Sequence, residues 1–111
     1  MAKVSWTEHA LADLTEIAEY IALDKPDAAK ALVKRIFEHV EKLTSHPEMG
    51  PRIPELLPSA RYRQIVEPPC RIFYRFDRME DVCHMLSVIR GEQLFQKRLL
   101  LKRDKEVSEQ G

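Results

Sequence analysis

Arginine is the residue type of this 111-residue sequence whose placement could support chemistry. Nine of the ten arginines follow residue 50. A guanidinium group can bind a phosphate, stabilise the charge that develops when a phosphodiester is cleaved, or pair with carboxylates of a partner. A solvated surface on which long side chains cover apolar atoms would explain the same placement equally well. The arginines that could gather on one surface are Arg61, Arg63, Arg71, Arg75 and, at its rim, Arg90.

Other kinds of chemical site lack the residues that they need. The four histidines have no metal-ligand spacing, and the two cysteines do not form a C-x-x-C pair. The three glycines do not form a phosphate-binding loop, and no serine lies in a nucleophile elbow. We therefore expect no metal and no cofactor. His84 is expected to be a hydrogen-bonded core residue rather than a general base.

The net charge is zero, but its distribution along the chain is uneven. Residues 1–50 carry six basic and nine acidic side chains, a balance of −3, and residues 51–111 carry twelve and nine, a balance of +3. A negatively charged partner is therefore expected to bind the C-terminal half, while the neutral total argues against strong DNA binding by the chain alone. Apolar runs such as Leu99–Leu101 are too short to span a bilayer, and the N-terminus has no signal-peptide pattern. These features predict a cytoplasmic protein without membrane contacts.

Cys70 and Cys83 fall in adjacent strands of a predicted hairpin. With the turn centred on Met79, Cys83 is expected opposite Arg75. In the same register Cys70 lies opposite Val88, so the sulfurs are offset by about five residues, or roughly 15 Å. Because a disulfide needs Cα atoms within about 7 Å, we expect two free buried thiols.

Two amphipathic helices are predicted to form an antiparallel hairpin over about residues 7–46. The first follows an N-cap at Thr7, and the second has Pro26 in its first turn and ends before His46-Pro47. Apolar residues recur at intervals of three and four in both segments. Each apolar stripe therefore needs another element to cover it.

From Arg61 onward the apolar pattern alternates, which predicts an antiparallel sheet over about residues 60–90. Its strands are expected at Tyr62–Glu67, Arg71–Phe76 and Val82–Ile89. One face would pack on the helical hairpin through Ile72, Tyr74, Phe76, Val82, His84, Leu86 and Val88. The opposite face, here called the arginine face, would carry Arg71, Phe73 and Arg75 with Cys83, Met85, Ser87 and Ile89. Arg61 and Arg63 would join the arginine face if alternation continues across Pro68-Pro69.

A short terminal helix is expected at about residues 92–103, and the polar residues from Asp104 to Gly111 are expected to be frayed. The predicted fold class is α+β: an N-terminal helical hairpin packed on a small antiparallel β-sheet, with a short C-terminal helix. Residues 1–111 are expected to form one domain, because a chain of this length supports a single core.

Short motifs follow one another from about Val4 to Leu100 in a specific order. The opening helix carries Trp6-Thr7, Ala10, Asp13-Leu14, Ile17 and Tyr20-Ile21, and the second helix begins with Pro26, Ala28-Ala29 and later Ile36. The connector contains Pro47, Gly50, Arg52 and Pro54-Glu55-Leu56. The strands contain Arg71-Ile72-Phe73-Tyr74-Arg75 and Val88-Ile89-Arg90. In this order and spacing the motifs resemble the ParE/RelE superfamily of toxins from type II toxin–antitoxin systems.

The resemblance implies a strand, a helical hairpin, an antiparallel sheet and a terminal helix, in agreement with the pattern described above. It also implies a cognate antitoxin, whose extended or helical segment would cover exposed apolar surface and the arginine face. Contact with DNA is expected only through the complex with that antitoxin.

The superfamily divides by mechanism. RelE-like members cut mRNA in the ribosome with lysines and arginines of the sheet face, often with a tyrosine near the C-terminus, whereas ParE-like members inhibit DNA gyrase and lack that set. Arg71 matches a catalytic arginine of the RelE group, but the lysine positions correspond to Tyr62 and Gln64. After Arg90 the nearest aromatic residue is Phe95, whose ring can neither exchange a proton nor hydrogen-bond a phosphate. These departures favour the ParE-like mechanism.

We therefore predict a toxin that arrests bacterial growth by inhibiting DNA gyrase, a protein inhibitor rather than an enzyme. Residues expected to contact the target or the antitoxin are Arg61, Arg63, Arg71, Arg75, Arg90, Phe95 and Arg98. One alternative is a RelE-like ribosome-dependent endoribonuclease, in which phosphate charge would be stabilised by Arg61, Arg63, Arg71 and Arg90. The other is an inactive binding module, such as a co-repressor, that acts only with its antitoxin.

Overall fold

The computed structural model describes residues 1–110 and places a helical hairpin on one face of a four-stranded sheet and a terminal helix on the other. In chain order the elements are β1 (Lys3–Trp6), α1 (Glu8–Ala22), α2 (Pro26–Glu41), β2 (Tyr62–Glu67), β3 (Cys70–Asp77), β4 (Val82–Arg90) and α3 (Lys97–Gln110). Two short 3₁₀ segments, Lys42–Thr44 and Pro54–Leu56, lie between α2 and β2. The predicted α+β class is confirmed.

The sheet has the strand order β1-β4-β3-β2 and is mixed rather than wholly antiparallel. Strands β2, β3 and β4 pair antiparallel, as the alternating pattern predicts. β1 adds to the free edge of β4 in parallel, with Lys3 opposite Val82 and Trp6 opposite Met85. The four residues of β1 are too few for alternation to indicate a strand, and the sequence predicts only an extended start there.

The apolar stripes of α1 and α2 cover the side of the sheet that we call the hairpin face. The helices bury Leu14, Ile17, Leu32, Ile36 and Val40 against the sheet residues Ile65, Ile72, Tyr74, Met85 and Val88. Full burial of one such side chain contributes about 1.5–3 kcal/mol, so this layer is the main apolar core. The predicted helix starts are confirmed: Thr7 Oγ1 accepts a hydrogen bond from the N–H of Ala10 at 3.2 Å, and Pro26 is the first residue of α2.

The sequence predicted a turn between β3 and β4 that is centred on Met79, and this prediction is wrong. Asp77 pairs with Val82, and Asp77 Oδ1 accepts hydrogen bonds from the backbone N–H groups of Met79 and Glu80 at 3.0 and 3.1 Å. Asp81 ends the turn with a φ of 57°, a left-handed conformation that aspartate tolerates better than most residues. The turn therefore shifts the expected register by one residue.

A β-bulge in β4 shifts the register a second time. Phe73 pairs with Ser87 but Tyr74 pairs with Met85, which leaves Leu86 as the extra residue. The shifted turn reverses the predicted faces of four residues: Cys83 and Met85 lie on the hairpin face, and Val82 and His84 lie on the arginine face. The bulge leaves Leu86 on the arginine face, also contrary to the prediction, and restores the predicted faces from Ser87 onward.

The two cysteines also lie opposite other residues than predicted. Cys83 pairs with Phe76, and Cys70 pairs with Arg90. Along β3, Cys70 is six positions from Phe76, the residue opposite Cys83, which is about 20 Å along a strand. Both thiols are free and buried, as expected, and burial raises the pKa of both, that of Cys83 to about 11.

The terminal helix begins and ends later than predicted. The backbone N–H of Arg90 donates to Gln93 Oε1 at 2.6 Å, so the residues after β4 form a turn and α3 starts at Lys97. It then continues through the segment expected to be frayed as far as Gln110, while Gly111 lies outside the described residues. Leu100 packs on the arginine face. No helix within residues 1–110 combines the length and apolarity that crossing a membrane requires.

Gly50 lies where the connector before β2 passes close to the sheet. Its N–H donates to the Tyr74 hydroxyl at 3.1 Å, and that hydroxyl donates to the carbonyl oxygen of Pro47 at 2.9 Å. A Cβ at Gly50 would lie 2.5 Å from the carbonyl oxygen of Gln64 and 2.8 Å from the Tyr74 hydroxyl. Both neighbours are buried, so neither can move aside freely.

Replacement of Gly50 by alanine is expected to lower the free energy of unfolding by about 2 kcal/mol, because overpacking forces the connector away from β2. Urea denaturation followed by Trp6 fluorescence measures the change. Gly91→Ala is the matched control, since a Cβ there would meet the nearest atom, the Pro69 carbonyl oxygen, at an ordinary 3.5 Å. Equal stability of Gly50→Ala and the unsubstituted chain would show that the close packing is wrong.

Candidate functional site

The predicted arginines do not all gather on one surface. Arg71 and Arg75 lie on the arginine face of β3, and Arg61 reaches this face from the residue before β2. Arg63 pairs with Tyr74 and therefore lies on the hairpin face, contrary to the prediction. Directly opposed residues of antiparallel strands share a face, and here an odd-numbered residue of β2 lies opposite an even-numbered residue of β3. Counting the alternation from β3 back through the Pro68-Pro69 turn therefore assigns Arg63 to the wrong face of the sheet.

A buried carboxylate on α3, that of Asp104, occupies the centre of the arginine face. It accepts hydrogen bonds from the Tyr62 hydroxyl at 2.6 Å, from Arg75 Nε at 2.7 Å and from Arg61 Nη2 at 3.2 Å. Asp104 is 3% exposed and Arg75 is 8% exposed. Burial by itself would raise the pKa of Asp104, but these hydrogen bonds outweigh it and hold the pKa below its usual value. The carboxylate is therefore ionised at neutral pH and compensates part of the positive charge of Arg75 and Arg61.

Tyr62 supplies the hydroxyl group of this cluster. Burial and its hydrogen bond to Asp104 raise the pKa of the phenol. Arg61 lies over the ring, with its guanidinium carbon 5.6 Å from the ring centroid, and its Nε donates to the hydroxyl at 3.3 Å, which raises the pKa of Arg61. The phenol stays protonated at neutral pH and directs its proton at Asp104. It is therefore not placed to exchange a proton with a bound substrate.

Arg71 has a second set of partners on the same face. Its Nη1 and Nη2 donate to the two carboxylate oxygens of Glu55 at 2.9 and 2.7 Å, and its Nε donates to Gln64 at 2.9 Å. The guanidinium also lies over the Phe73 ring, 4.9 Å from its centroid. The hydrogen bonds from Arg71 lower the pKa of Glu55. A bidentate pair of this kind fixes both the charge and the orientation of the arginine.

Arg90 lies at the end of β4, away from the Asp104 cluster. Its guanidinium carbon is 4.1 Å from the centroid of the Tyr20 ring on α1, and Nη1 is 2.9 Å from the carboxylate of Glu92. The Tyr20 ring covers one flat face of the guanidinium, and an N–H at its edge pairs with the exposed carboxylate of Glu92. Arg90 thus links the hairpin to the segment that leads into α3.

The last two predicted residues lie on that segment and on α3. Phe95 precedes the helix and packs edge-on against Phe73, with ring centroids 5.1 Å apart. Arg98 is exposed in the first turn of α3. The structure therefore separates the predicted residues into the Asp104 cluster, the Arg71 group, the Arg90 stack and the exposed start of α3.

A second ion pair fastens α3 across the edge of β4. Because β1 pairs with β4 only as far as Met85, the following backbone groups of β4 need other partners. Asp13 Oδ2 accepts from the N–H of Val88 at 3.0 Å, and Arg103 Nη1 donates to the carbonyl oxygen of Leu86 at 3.2 Å. Arg103 and Asp13 themselves approach to 2.6 Å. One ion pair thus completes the edge and joins α1, β4 and α3.

His84 lies beside Arg75 on the arginine face and not in the core as predicted. Burial and the positive charge of Arg75 lower the pKa of the imidazole, so it is neutral at pH 7. The ring lines an open cleft of about 440 Å³ between the end of β1 and α3, where His9 Nε2 lies 2.9 Å from Glu106. His84 therefore adds no positive charge to this face at neutral pH.

The arginine face is balanced by carboxylates of the chain itself. Asp104 pairs with Arg75 and Arg61, and Glu55 pairs with Arg71. An arginine whose charge is partly compensated by an internal carboxylate stabilises the charge of an external phosphate less than a free arginine does. Within residues 1–110, no group of three or more histidine, cysteine or acidic side chains could hold a metal ion. The arrangement suits exchange of ion-pair partners with another protein.

The two residues that fasten α3, Arg103 and Asp104, fall at the edge of the tail that the sequence predicts to be frayed. Leu100, Asp104 and Val107 follow one another at intervals of four and three, so the helical repeat does continue to the arginine face. The signal is hidden because a charged residue occupies the central position. Only its partners on β2 and β3 make that position a buried one.

Asp104→Asn is expected to lower the free energy of unfolding by about 3 kcal/mol at pH 7, because Arg75 then stays buried without its counter-charge. Urea denaturation provides the measurement. Glu109→Gln is the matched control on the same helix, since its 4.0 Å pair with Lys105 is exposed and should change stability by less than about 0.5 kcal/mol. If the two variants were equally stable, the buried cluster would not hold α3 in place.

The same carboxylate should make stability depend on pH. The pKa of Asp104 is lower in the folded chain than in the unfolded one, so its contribution to stability is complete above about pH 5 and is lost as pH falls through the unfolded and then the folded pKa. The unsubstituted chain should therefore lose more stability than Asp104→Asn between about pH 5 and pH 2. Denaturation curves recorded across this range give the difference, and parallel losses would contradict an ionised Asp104.

Residues 4–95 match the family described as the ParE toxin of the type II toxin–antitoxin system parDE. Over 94 residues the chain is 40% identical to toxin RelE2 of Caulobacter vibrioides, an alignment covering 85% of this chain and 100% of that protein. A structure of the chromosomal ParDE toxin–antitoxin system of P. aeruginosa is similar with a TM-score of 0.66 and 25% identity, covering 83% of this chain and 98% of the other. The RelBE2 toxin–antitoxin complex of Mycobacterium tuberculosis shares the fold, with a TM-score of 0.54, 21% identity and coverage of 80% and 96%. The chain belongs to the ParE toxin family of type II toxin–antitoxin systems.

Proposed function

We propose that this toxin inhibits DNA gyrase in the cytoplasm, arrests growth in that way, and is neutralised by a cognate antitoxin. One observation favours gyrase over RNA as the target: the arginines of the arginine face are already paired with carboxylates of the same chain. Asp104 holds Arg61 and Arg75, and Glu55 holds Arg71. A protein that works by binding another protein needs no free guanidinium to stabilise a cleaved phosphodiester.

The positions where a RelE-like nuclease would carry lysines support the same choice. Tyr62 is buried and bonded to Asp104, and Gln64 is buried and bonded to Arg71. Neither side chain carries a positive charge at neutral pH. Phe95, the aromatic residue nearest to Arg90 on the C-terminal side, packs on Phe73 and has no proton to exchange. The described face therefore offers few groups that could activate a ribose hydroxyl or protonate a leaving group.

An antitoxin as partner is supported by the structurally similar proteins, which come from toxin–antitoxin systems. The structurally similar toxins of P. aeruginosa and Mycobacterium tuberculosis belong to ParDE and RelBE2 systems. In this chain, exposed apolar side chains lie near the segment leading into α3, where Leu94 is 84% exposed and Leu101 is 41% exposed. A partner segment that covers them would remove apolar surface from water. DNA contact is proposed to occur only through that complex.

For gyrase we propose a surface formed by Arg90, Phe95 and Arg98. Arg90 and Arg98 bracket the segment between β4 and α3, and Arg98 is exposed. Arg90 is already oriented by the Tyr20 ring, so it would lose little side-chain entropy on binding. Arginine in such a position is a frequent hot spot of protein interfaces.

The experiment is a supercoiling assay with gyrase, relaxed plasmid and purified toxin, with and without ATP. The unsubstituted toxin is expected to block supercoiling and to accumulate linear DNA. Arg90→Ala should need about tenfold more protein for the same effect, because a hot-spot arginine contributes on the order of 1.4 kcal/mol or more. Arg35→Ala is the matched control, since Arg35 is an exposed arginine on α2 that pairs with Glu67. Normal supercoiling at excess toxin would contradict the proposal.

A second candidate is a ribosome-dependent endoribonuclease. It is favoured by the 40% identity to a protein named RelE2. The resemblance of the strand motif around Arg71 to that of RelE-like nucleases, which implies a catalytic role for this arginine, favours it as well. Under this reading, a translating extract would show cleaved mRNA and Arg71→Ala would abolish the cleavage. Intact mRNA together with unaffected supercoiling would leave a binding module that acts only with its antitoxin.

A further inference from the structure

Arginines from both sides of the sheet surround a small recess beside the turn between β3 and β4. The recess has a volume of about 220 Å³, and its lining includes Glu48, Arg61, Arg63, Arg75, Phe76 and Arg78. Arg63, which does not belong to the arginine face, points to this recess instead. Four arginine side chains thus line a space that is large enough for one or two side chains.

A carboxylate already bound in the recess shows which chemistry it accepts. Arg78 donates from Nε to Glu48 Oε1 at 2.8 Å, and its Nη2 lies 2.7 Å from the same oxygen. Arg63 Nη2 lies 3.7 Å from Glu48 Oε2. Glu48 is therefore bound by Arg78 and only loosely approached by Arg63. Two donors of Arg78 thus share one carboxylate oxygen, and the other oxygen has no donor within hydrogen-bond distance among these arginines.

The recess keeps unused donors and a surplus of positive charge. Arg75 uses its Nε for Asp104, and the next carboxylate, Asp77, is 3.9 Å from its Nη1. Counted together, the four arginines meet three carboxylates, those of Glu48, Asp77 and Asp104. One positive charge remains without a counter-charge. An added carboxylate would balance it.

Two of the arginines are held in place before any ligand arrives. Arg63 Nη1 donates to the carbonyl oxygen of Gly50 at 2.9 Å, and its side chain is 23% exposed. Arg75 is buried and fixed by Asp104. Side chains that are already ordered lose little entropy when they bind. Phe76, which also lines the recess, offers an apolar wall for the methylene groups of an entering glutamate.

We propose that this recess binds a carboxylate side chain from an acidic segment of a partner protein, in competition with Glu48. A single carboxylate side chain fits better than a nucleic acid backbone, because the recess of about 220 Å³ has room for one or two side chains and not for a line of phosphates. The partner would be the proposed antitoxin, and to that extent the inference rests on the proposed function.

The test is calorimetric titration of the folded toxin with hexaglutamate at low ionic strength. Arg78→Gln and Arg63→Gln should each weaken binding about fivefold to tenfold, because each removes one charged donor from the recess. Glu48→Gln should strengthen binding by a similar factor, because it removes the competing carboxylate. Arg35→Gln, an exposed arginine on α2, is the matched control and should leave binding unchanged. Thermal unfolding of each variant checks that it is folded.

Two results would overturn the inference. One is hexaglutamate binding that is absent, or that is insensitive to Arg78→Gln and Glu48→Gln, the two variants at partly exposed positions. The other is tighter binding of a thymidine hexanucleotide with the same dependence on these variants, which would assign the recess to nucleic acid. Both results are independent of the supercoiling assay, so a failure here is distinguishable from a failure of the gyrase proposal.

Discussion

The carboxylate of Asp104 is the group on which the C-terminal half of this structure depends. It is buried on α3 and receives hydrogen bonds from Tyr62 on β2, from Arg75 on β3 and from Arg61. Without it, the buried guanidinium of Arg75 would keep only the carboxylate of Asp77, 3.9 Å away, as a counter-charge, and a poorly compensated buried charge is costly. Because these hydrogen bonds join α3 to two neighbouring strands, the cluster sets where α3 crosses the sheet.

This constraint gives the two faces of the sheet different physical characters. The hairpin face is sealed by apolar packing of α1 and α2, whereas α3 is attached to the arginine face through a few apolar contacts and two ion-pair groups. The match to the ParE toxin family ends at residue 95, just before α3 begins at Lys97. The matched residues therefore include the hairpin and the sheet but not α3. In this chain, the arginines of the sheet are paired by residues from the connector and from α3.

Much of the fold could be predicted from the sequence, because local signals and tertiary structure agree there. Thr7 caps α1, Pro26 starts α2, and alternation marks three strands. The predicted faces are wrong in the first half of β4, because the turn pairs Asp77 with Val82 and so reverses the faces of residues 82–85. Leu86 then forms a bulge that restores the predicted faces from Ser87 onward, and alternation reveals neither the turn geometry nor the bulge. The candidate site was predicted less well. Asp104 is a charged residue in a polar segment, and only partners more than 25 positions away in the chain make it a buried one.

A double-mutant cycle between Arg75 and Asp104 tests the central claim that their buried pair holds α3 on the arginine face. The free energy of unfolding is measured for the unsubstituted chain, Arg75→Gln, Asp104→Asn and the double variant. We expect a coupling energy of at least about 1.5 kcal/mol, so that the double variant loses much less free energy of unfolding than the two single variants lose together. A coupling energy below about 0.3 kcal/mol, the range of independent sites, would contradict it.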